Sequence, residues 1–258
     1  MRPRKFHFPR IRTRRARTHL GQSGTVALNP AQDKQPVWLF DLDNTLHDTS
    51  YKIFPAINVG MTAAVMKTLD LDEAAASELR THYYRRYGAT LLGLVRHHNI
   101  DPHAFLQSSH AFDVAPLVKA ERGLRDKLNR LPGRKVLVTN APLHYARAVL
   151  KHLGILRCFD HLWGIEQMQF LGRFRPKPSA ALMRHILAHE GIHPRRAVLV
   201  EDTVENLRGA RKAGLRTVHV FHPGSPFGRG KSGRPHFVDL RVNCIGDLLL
   251  QKRPLRSV

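Results

Sequence analysis

The apolar run Val37-Trp38-Leu39-Phe40 stops abruptly at Asp41-Leu42-Asp43-Asn44-Thr45-Leu46. Four apolar residues bounded by polar ones predict a buried β-strand. Two carboxylates spaced i, i+2 at the end of such a strand are costly to bury unless a metal or hydrogen bonds hold them. Open α/β sheets place their ligands at strand ends. This junction therefore constrains both the fold and the position of any chemistry.

Downstream, strands and helices alternate. Lys135–Thr139 is an apolar run ending in Thr139-Asn140, and Pro142–Leu153 reads as a helix ended by Gly154. Ser179–Glu190 is helical, Ala197–Val200 is a strand ending at Glu201-Asp202, Asn206–Ala213 is helical, and Thr217–Phe221 is a strand. Alternation of this kind predicts an α/β fold, a doubly wound parallel sheet with right-handed crossovers. Residues 50–128 break the pattern. They hold helical periodicities over Ile57–Leu69, Ala74–Tyr87 and Thr90–His98, a helix start at Asp101-Pro102, and another helical stretch near Val118–Leu128. The expected organisation is a core over residues 36–48 and 129–258, with a helical block at 49–128 inserted after the first strand.

Four segments carry the candidate chemistry: Asp41-x-Asp43-x-Thr45, Leu137-Val138-Thr139-Asn140, Arg175-Pro176-Lys177-Pro178 and Val200-Glu201-Asp202. Three of them end apolar strands, so a parallel sheet brings them to one crevice. Asp41, Asp43, Glu201 and Asp202 are hard oxygen ligands suited to Mg2+. A carboxylate such as Asp41 can attack phosphorus and form an aspartyl-phosphate. Asp43 is placed to protonate the leaving oxygen and then to activate water. Leu42, Thr139, Asn140 and Lys177 are the candidate phosphate contacts, with Lys177 balancing charge on the equatorial oxygens. Taken singly, each piece also reads as a turn or a helix cap.

These segments resemble the four motifs of the haloacid-dehalogenase-like (HAD) superfamily, in order and spacing, from residue 36 to about 220. The resemblance implies a Rossmann-like core, a Mg2+ cofactor, Asp41 as nucleophile and metal ligand, and Asp43 as general acid and base, touching the metal through its backbone carbonyl. Thr45 resembles the phosphatase branch, and the second aspartate argues against the dehalogenase reaction. The helical block resembles the cap that closes over the crevice in one branch of the superfamily. Within it, Tyr83-Tyr84-Arg85-Arg86-Tyr87-Gly88-Ala89-Thr90-Leu91-Leu92-Gly93-Leu94 is similar to a segment of the pyrimidine 5′-nucleotidase family. Thr139-Asn140-Ala141, Trp163-Gly164-Ile165-Glu166 and Val200-Glu201-Asp202-Thr203 are similar to it as well.

The resemblance implies hydrolysis of pyrimidine nucleoside 5′-monophosphates, with Tyr84, Arg86 and Tyr87 as candidate base contacts. The same tyrosines also read as helix-packing residues. Another small phosphate ester, a sugar phosphate or phosphoglycolate, is the nearest alternative substrate. His47 stands where the resemblance calls for an aromatic or apolar residue and is given no role.

Charge raises a rival from another class. The formal net charge is +22. Residues 1–35 hold nine Lys/Arg against one acid, and residues 222–258 hold seven against two. Basic tails can bind nucleic acid through phosphates, but the chain has no helix-turn-helix, zinc or RNP signature. The N-terminal stretch is expected to be a disordered basic arm, with an organellar transit peptide or an upstream-shifted start as alternatives. It has no apolar core for a secretory signal. No apolar run approaches the roughly 20 residues of a membrane helix. Cys158 and Cys244 are too few for a disulfide framework, so a cytoplasmic protein is expected.

Overall fold

The protein is described here from a computed structural model covering residues 35–49, 52–170, 172–221 and 233–250. The expected basic arm and most of the expected Pro223–Pro235 loop lie outside the described residues.

The core is a six-stranded sheet. Its strands are β1 (Val37–Phe40), β2 (Lys135–Val138), β3 (His161–Trp163), β6 (Ala197–Glu201), β7 (Arg216–Val220) and β8 (Leu240–Val242), in the order β3-β2-β1-β6-β7-β8. Every pairing in it is parallel. β1 lies at the centre, with Leu39 opposite both Val136 and Leu199. A short antiparallel pair, β4 (Gln169–Phe170) with β5 (Arg173–Phe174), stands apart.

Strand periodicity explains why the sheet is buried on both faces. Successive side chains point to opposite sides. Trp38, Phe40, Leu137, Val198 and Val200 enter one hydrophobic cluster, while Val37, Leu39, Val136, Val138, Ala197 and Leu199 enter another. Helix α6 (Leu143–His152) buries Tyr145, Ala146, Val149 and Leu150 against the first cluster. Helices α7 (Ala180–His189) and α8 (Val204–Lys212) cover the second with Leu182, Met183, Ile186, Leu207 and Ala210.

Between β1 and β2 the chain is helical: α1 (Ile53–Leu69), α2 (Glu73–Tyr87), α3 (Thr90–His98), α4 (Pro102–Ser109) and α5 (Leu124–Arg130). Local chemistry sets several ends. Asp72 and Asp101 cap α2 and α4 by accepting from Ala75 N and His103 N. Gly88 ends α2 with φ 82°. Helices α1–α4 share a third hydrophobic cluster containing Ala64, Val65, Ala76, Tyr83, Leu91, Leu94, Phe105 and Leu106. From outside these helices, Ile165 is buried in that cluster and Phe174 packs against it. The chain leaves and re-enters the core side by side, because Asp48 N donates to the Lys119 carbonyl at 2.7 Å.

The elements differ in detail from those expected from sequence. The stretch near Val118–Leu128 is helical only from Leu124, since residues around Lys119 are extended against Asp48 and Gly123 sits at φ 66°. Strands β3 and β8 were not evident from the residue pattern; each is three residues long and carries a polar residue, His161 or Arg241.

Candidate active site

The turn after β1 is built by Asn44. Its φ of 57° lies in the left-handed region, which asparagine tolerates better than most residues. Its Oδ1 accepts from both Thr49 N (3.0 Å) and Thr49 Oγ1 (2.6 Å), closing the loop. Leu46 N and Thr45 N bond to the Leu42 carbonyl. Asp41 and Asp43 are thereby held at the carboxyl end of the central strand.

Lys177 is the organising cation. Its Nζ donates to Asp41 Oδ1 at 2.6 Å and to Glu201 Oε2 at 2.7 Å, and all three side chains are buried. Asn140 fixes its backbone: Asn140 Nδ2 donates to the Lys177 carbonyl at 3.0 Å, and Lys177 N donates to Asn140 Oδ1 at 2.9 Å. The Asn140 side chain, expected as a phosphate contact, positions Lys177 through these two bonds. Gly209 of α8 permits close approach of the following segment, since a Cβ there would fall 1.9 Å from the Pro178 carbonyl oxygen.

Asp202 completes an acidic group. Ligand oxygens of Asp41, Glu201 and Asp202 lie within 4.8 Å of one another. Glu201 has both oxygens engaged, one by Lys177 and the other by Thr203 N at 3.1 Å. Burial pushes the Asp41 carboxyl up to about 7, helped by Glu201 and opposed by Lys177. Burial likewise raises Glu201 to about 7 and Asp202 to about 6. Burial alone would lower Lys177, but Asp41 and Glu201 raise it above the usual lysine range. When ionised, three carboxylates against one ammonium leave a formal charge of −2. A hard divalent cation would cancel it, and the oxygen donor set suits Mg2+.

Asp43 is held differently. Its Oδ1 accepts from Tyr145 Oη at 2.8 Å and lies 3.1 Å from His47 Nε2. Burial opposes ionisation, yet these hydrogen bonds and the His47 charge pull the Asp43 carboxyl below its ordinary value. His110 packs on Tyr145, ring centroids 5.3 Å apart, and Phe112 does so at 6.0 Å. The segment after α4 therefore reaches the residue that holds Asp43. Neither Tyr145 nor His47 received a role from sequence. The only signal was the departure of His47 from the resembled pattern.

Thr139 sits at the end of β2, with its N bonded to the Trp163 carbonyl and its Oγ1 accepting from Ala141 N at 3.0 Å. Leu42 is fully buried, beside the Asp41 and Asp43 carboxylates in sequence. Glu166 caps α6 by accepting from Leu143 N at 3.0 Å.

The hydrogen bonds of Tyr83 and Tyr87, to His98, Arg86 and His97, lie inside the helical block. Tyr83 is buried against Gly93, where a Cβ would meet its ring at 2.1 Å. Tyr87 Oη pairs with His97 Nε2 at 2.7 Å and accepts from Arg86 Nε at 3.3 Å. Tyr84 is 56% exposed.

Residues 37–214 match the haloacid dehalogenase-like hydrolase family. The chain is 27% identical over 225 residues to Phosphate metabolism protein 8 of Saccharomyces cerevisiae, covering 80% of this chain and 68% of that protein. It is 25% identical over 227 residues to a 5′-nucleotidase of Pseudomonas aeruginosa, covering 79% and 89%. In fold it is similar to CbbY from Rhodobacter sphaeroides, solved in complex with phosphate, with a TM-score of 0.57, 20% identity and coverage of 83% and 96%. The family match runs from β1 through α8 and so includes Asp41, Lys177 and Asp202. The chain belongs to the haloacid dehalogenase-like hydrolases.

Proposed function

We propose that this hydrolase is a Mg2+-dependent phosphomonoesterase that works through an aspartyl-phosphate on Asp41 and acts on pyrimidine nucleoside 5′-monophosphates. The observation that carries the phosphatase reading is the buried Lys177 ammonium bridging Asp41 and Glu201, with Asp202 alongside. The same site places a separately held second carboxylate, Asp43, two residues from Asp41.

Asp41 and Asp202, with the Asp43 backbone carbonyl, would hold the cation, and Glu201 would contribute through the charge it shares with Lys177. When bound, Mg2+ would supply charge neutralisation for the incoming phosphate and for the carboxylates around it. Asp41 attacks phosphorus, forming the Asp41–phosphorus bond as the ester bond breaks. Asp43 gives a proton to the departing oxygen. A phosphate dianion nearby raises the proton affinity of Asp43 by charge repulsion, which readies it for that step. Asp43 then takes a proton from water as the water attacks phosphorus and releases Asp41. Lys177 and the loop after Thr139 stabilise the phosphoryl oxygens.

The substrate reading is supported by the 25% identity to a 5′-nucleotidase and by the aromatic and arginine-rich surface of α2. We infer that residues 49–128 act as a cap over the crevice, because His110 and Phe112 from this region pack on Tyr145. Cys158 and Cys244 are free thiols. Among the described residues no helix is long and apolar enough to cross a membrane.

The test is turnover of UMP, CMP, dTMP, AMP, glucose 6-phosphate and phosphoglycolate, each with Mg2+. The proposal expects the pyrimidine nucleotides to lead. A preference for AMP or for a sugar phosphate would overturn the substrate reading while leaving the phosphatase reading intact.

A further inference from the structure

A second group of ligating side chains lies away from Asp41, where the strands begin rather than end. His161 opens the edge strand β3, and His189 and Glu190 close α7. One ligand atom from each of the three lies within 4.8 Å of the other two. His189 Nδ1 is 3.5 Å from Glu190 Oε1, and His161 Nδ1 is in hydrogen-bond contact with the same oxygen.

The carboxylate is built into the fold, whereas the imidazoles are open. The Glu190 side chain is 4% exposed, against 46% for His161 and 54% for His189. Trp163 Nε1 donates to Glu190 Oε1 at 2.9 Å, and Arg134 donates to Glu190 Oε2 at 2.9 Å. Arg134 also donates to the Glu190 carbonyl at 3.1 Å. These bonds fix the carboxylate's orientation, as outer hydrogen bonds fix the ligands of metal sites. Although burial opposes it, the bonds from Trp163 and His161 hold the Glu190 carboxyl below its ordinary value.

We propose that His161, His189 and Glu190 form a second metal site, which takes one imidazole-preferring divalent cation such as Zn2+ and clips the start of β3 to the end of α7. Two imidazole nitrogens and one carboxylate oxygen favour Zn2+, Ni2+ or Cu2+ over Mg2+ or Ca2+. In the loaded form His161 Nδ1 turns from donor to ligand, and its ring proton moves to Nε2. The three ligands leave a position open to water. The site shares no residue with the Asp41 group.

Trp163 gives a direct readout. Its ring stands edge-on to His189 at 5.0 Å between centroids and lies 5.9 Å from His161. The full chain, stripped with chelator and held in excess Mg2+, is titrated with Zn2+ by calorimetry and with Cu2+ by tryptophan fluorescence. The expected result is one tight Zn2+ per chain and Cu2+ quenching. In the exposed double variant H161A/H189A, both are expected to weaken by more than about tenfold. Zn2+ should also raise Tm in the parent chain and not in the variant. Equal binding and quenching in the two proteins, or no Zn2+ binding by the parent, would overturn the proposal.

Discussion

Asn140 and Lys177 are joined by two hydrogen bonds from one side chain to one backbone, Nδ2 to the Lys177 carbonyl at 3.0 Å and Lys177 N to Oδ1 at 2.9 Å. The clamp aims the Lys177 ammonium at Asp41 and Glu201 without using a charged residue. Asn140→Ala leaves the carboxylates in place but frees the lysine backbone. Misplacement of a reacting group by about 1 Å costs roughly 10²-fold in rate. We expect kcat to fall by about that factor, with KM changing less. A variant with unchanged kcat in steady-state assays would contradict the positioning role.

Tyr145 and His47 both engage Asp43 Oδ1, which leaves Oδ2 as the oxygen for proton transfer. General acid–base catalysis contributes about 10²–10⁴-fold, so Asp43→Asn should lose activity in that range. Tyr145→Phe removes one of the two bonds and should lose less, about tenfold by the same scale. His47→Phe should behave similarly, and the double variant should fall further toward Asp43→Asn. Full wild-type kcat in Tyr145→Phe would refute the assignment.

Stability should depend on pH and Mg2+ together. Asp41 and Glu201 rise to about 7 and Asp202 to about 6, from ordinary values of 3.8 for aspartate and 4.5 for glutamate. A raised carboxyl means the folded chain binds more protons than the unfolded one, so stability falls as pH increases between the two values. The contribution of these three groups is thus most favourable below about pH 4 and is lost as pH rises toward about 7. Mg2+ relieves the repulsion between ionised carboxylates, so it should raise Tm more at pH 8 than at pH 5. Thermal unfolding with EDTA or Mg2+ at both pH values measures this. An equal Mg2+ effect at the two pH values would count against a metal held by these carboxylates.

Gly209 tests the packing that seats Lys177. A Cβ at this position would meet backbone, the Pro178 carbonyl oxygen at 1.9 Å and the Pro178 carbonyl carbon at 2.7 Å. Neither can swing aside as a side chain can. Gly209→Ala should destabilise by roughly 1–3 kcal/mol, the usual cost of overpacking, and lower kcat as well. Denaturant unfolding at parental stability would contradict the tight contact.

The sheet was legible where strands are long and apolar. β1, β2, β6 and β7 hold four or five residues each, and the first three run into the polar positions Asp41, Thr139 and Glu201. β3 and β8 are three residues long, and β8 is only partly buried, so their periodicity is too short to read. Helix α1 begins at Ile53, four residues before the periodicity over Ile57–Leu69, and its first turn includes Pro55, a residue tolerated there. In the site, Asp41, Asp43, Glu201 and Asp202 come together because they follow apolar strands of one parallel sheet, whereas Lys177 lies after β5 and reaches them from a loop. Tyr145 was not visible, because its bond to Asp43 spans 102 residues and depends on which face of α6 meets the sheet. The Asn140 clamp was hidden for the same reason, as it joins positions 37 residues apart.

Asp41 is the residue proposed to carry the phosphoryl group. The most direct test is an acid quench during turnover of a radiolabelled phosphate ester with Mg2+, followed by peptide mapping. Label is expected on the peptide containing Asp41, released by hydroxylamine, with neither label nor turnover in Asp41→Asn. Label on a different residue, or sustained Mg2+-dependent turnover by Asp41→Asn, would contradict it.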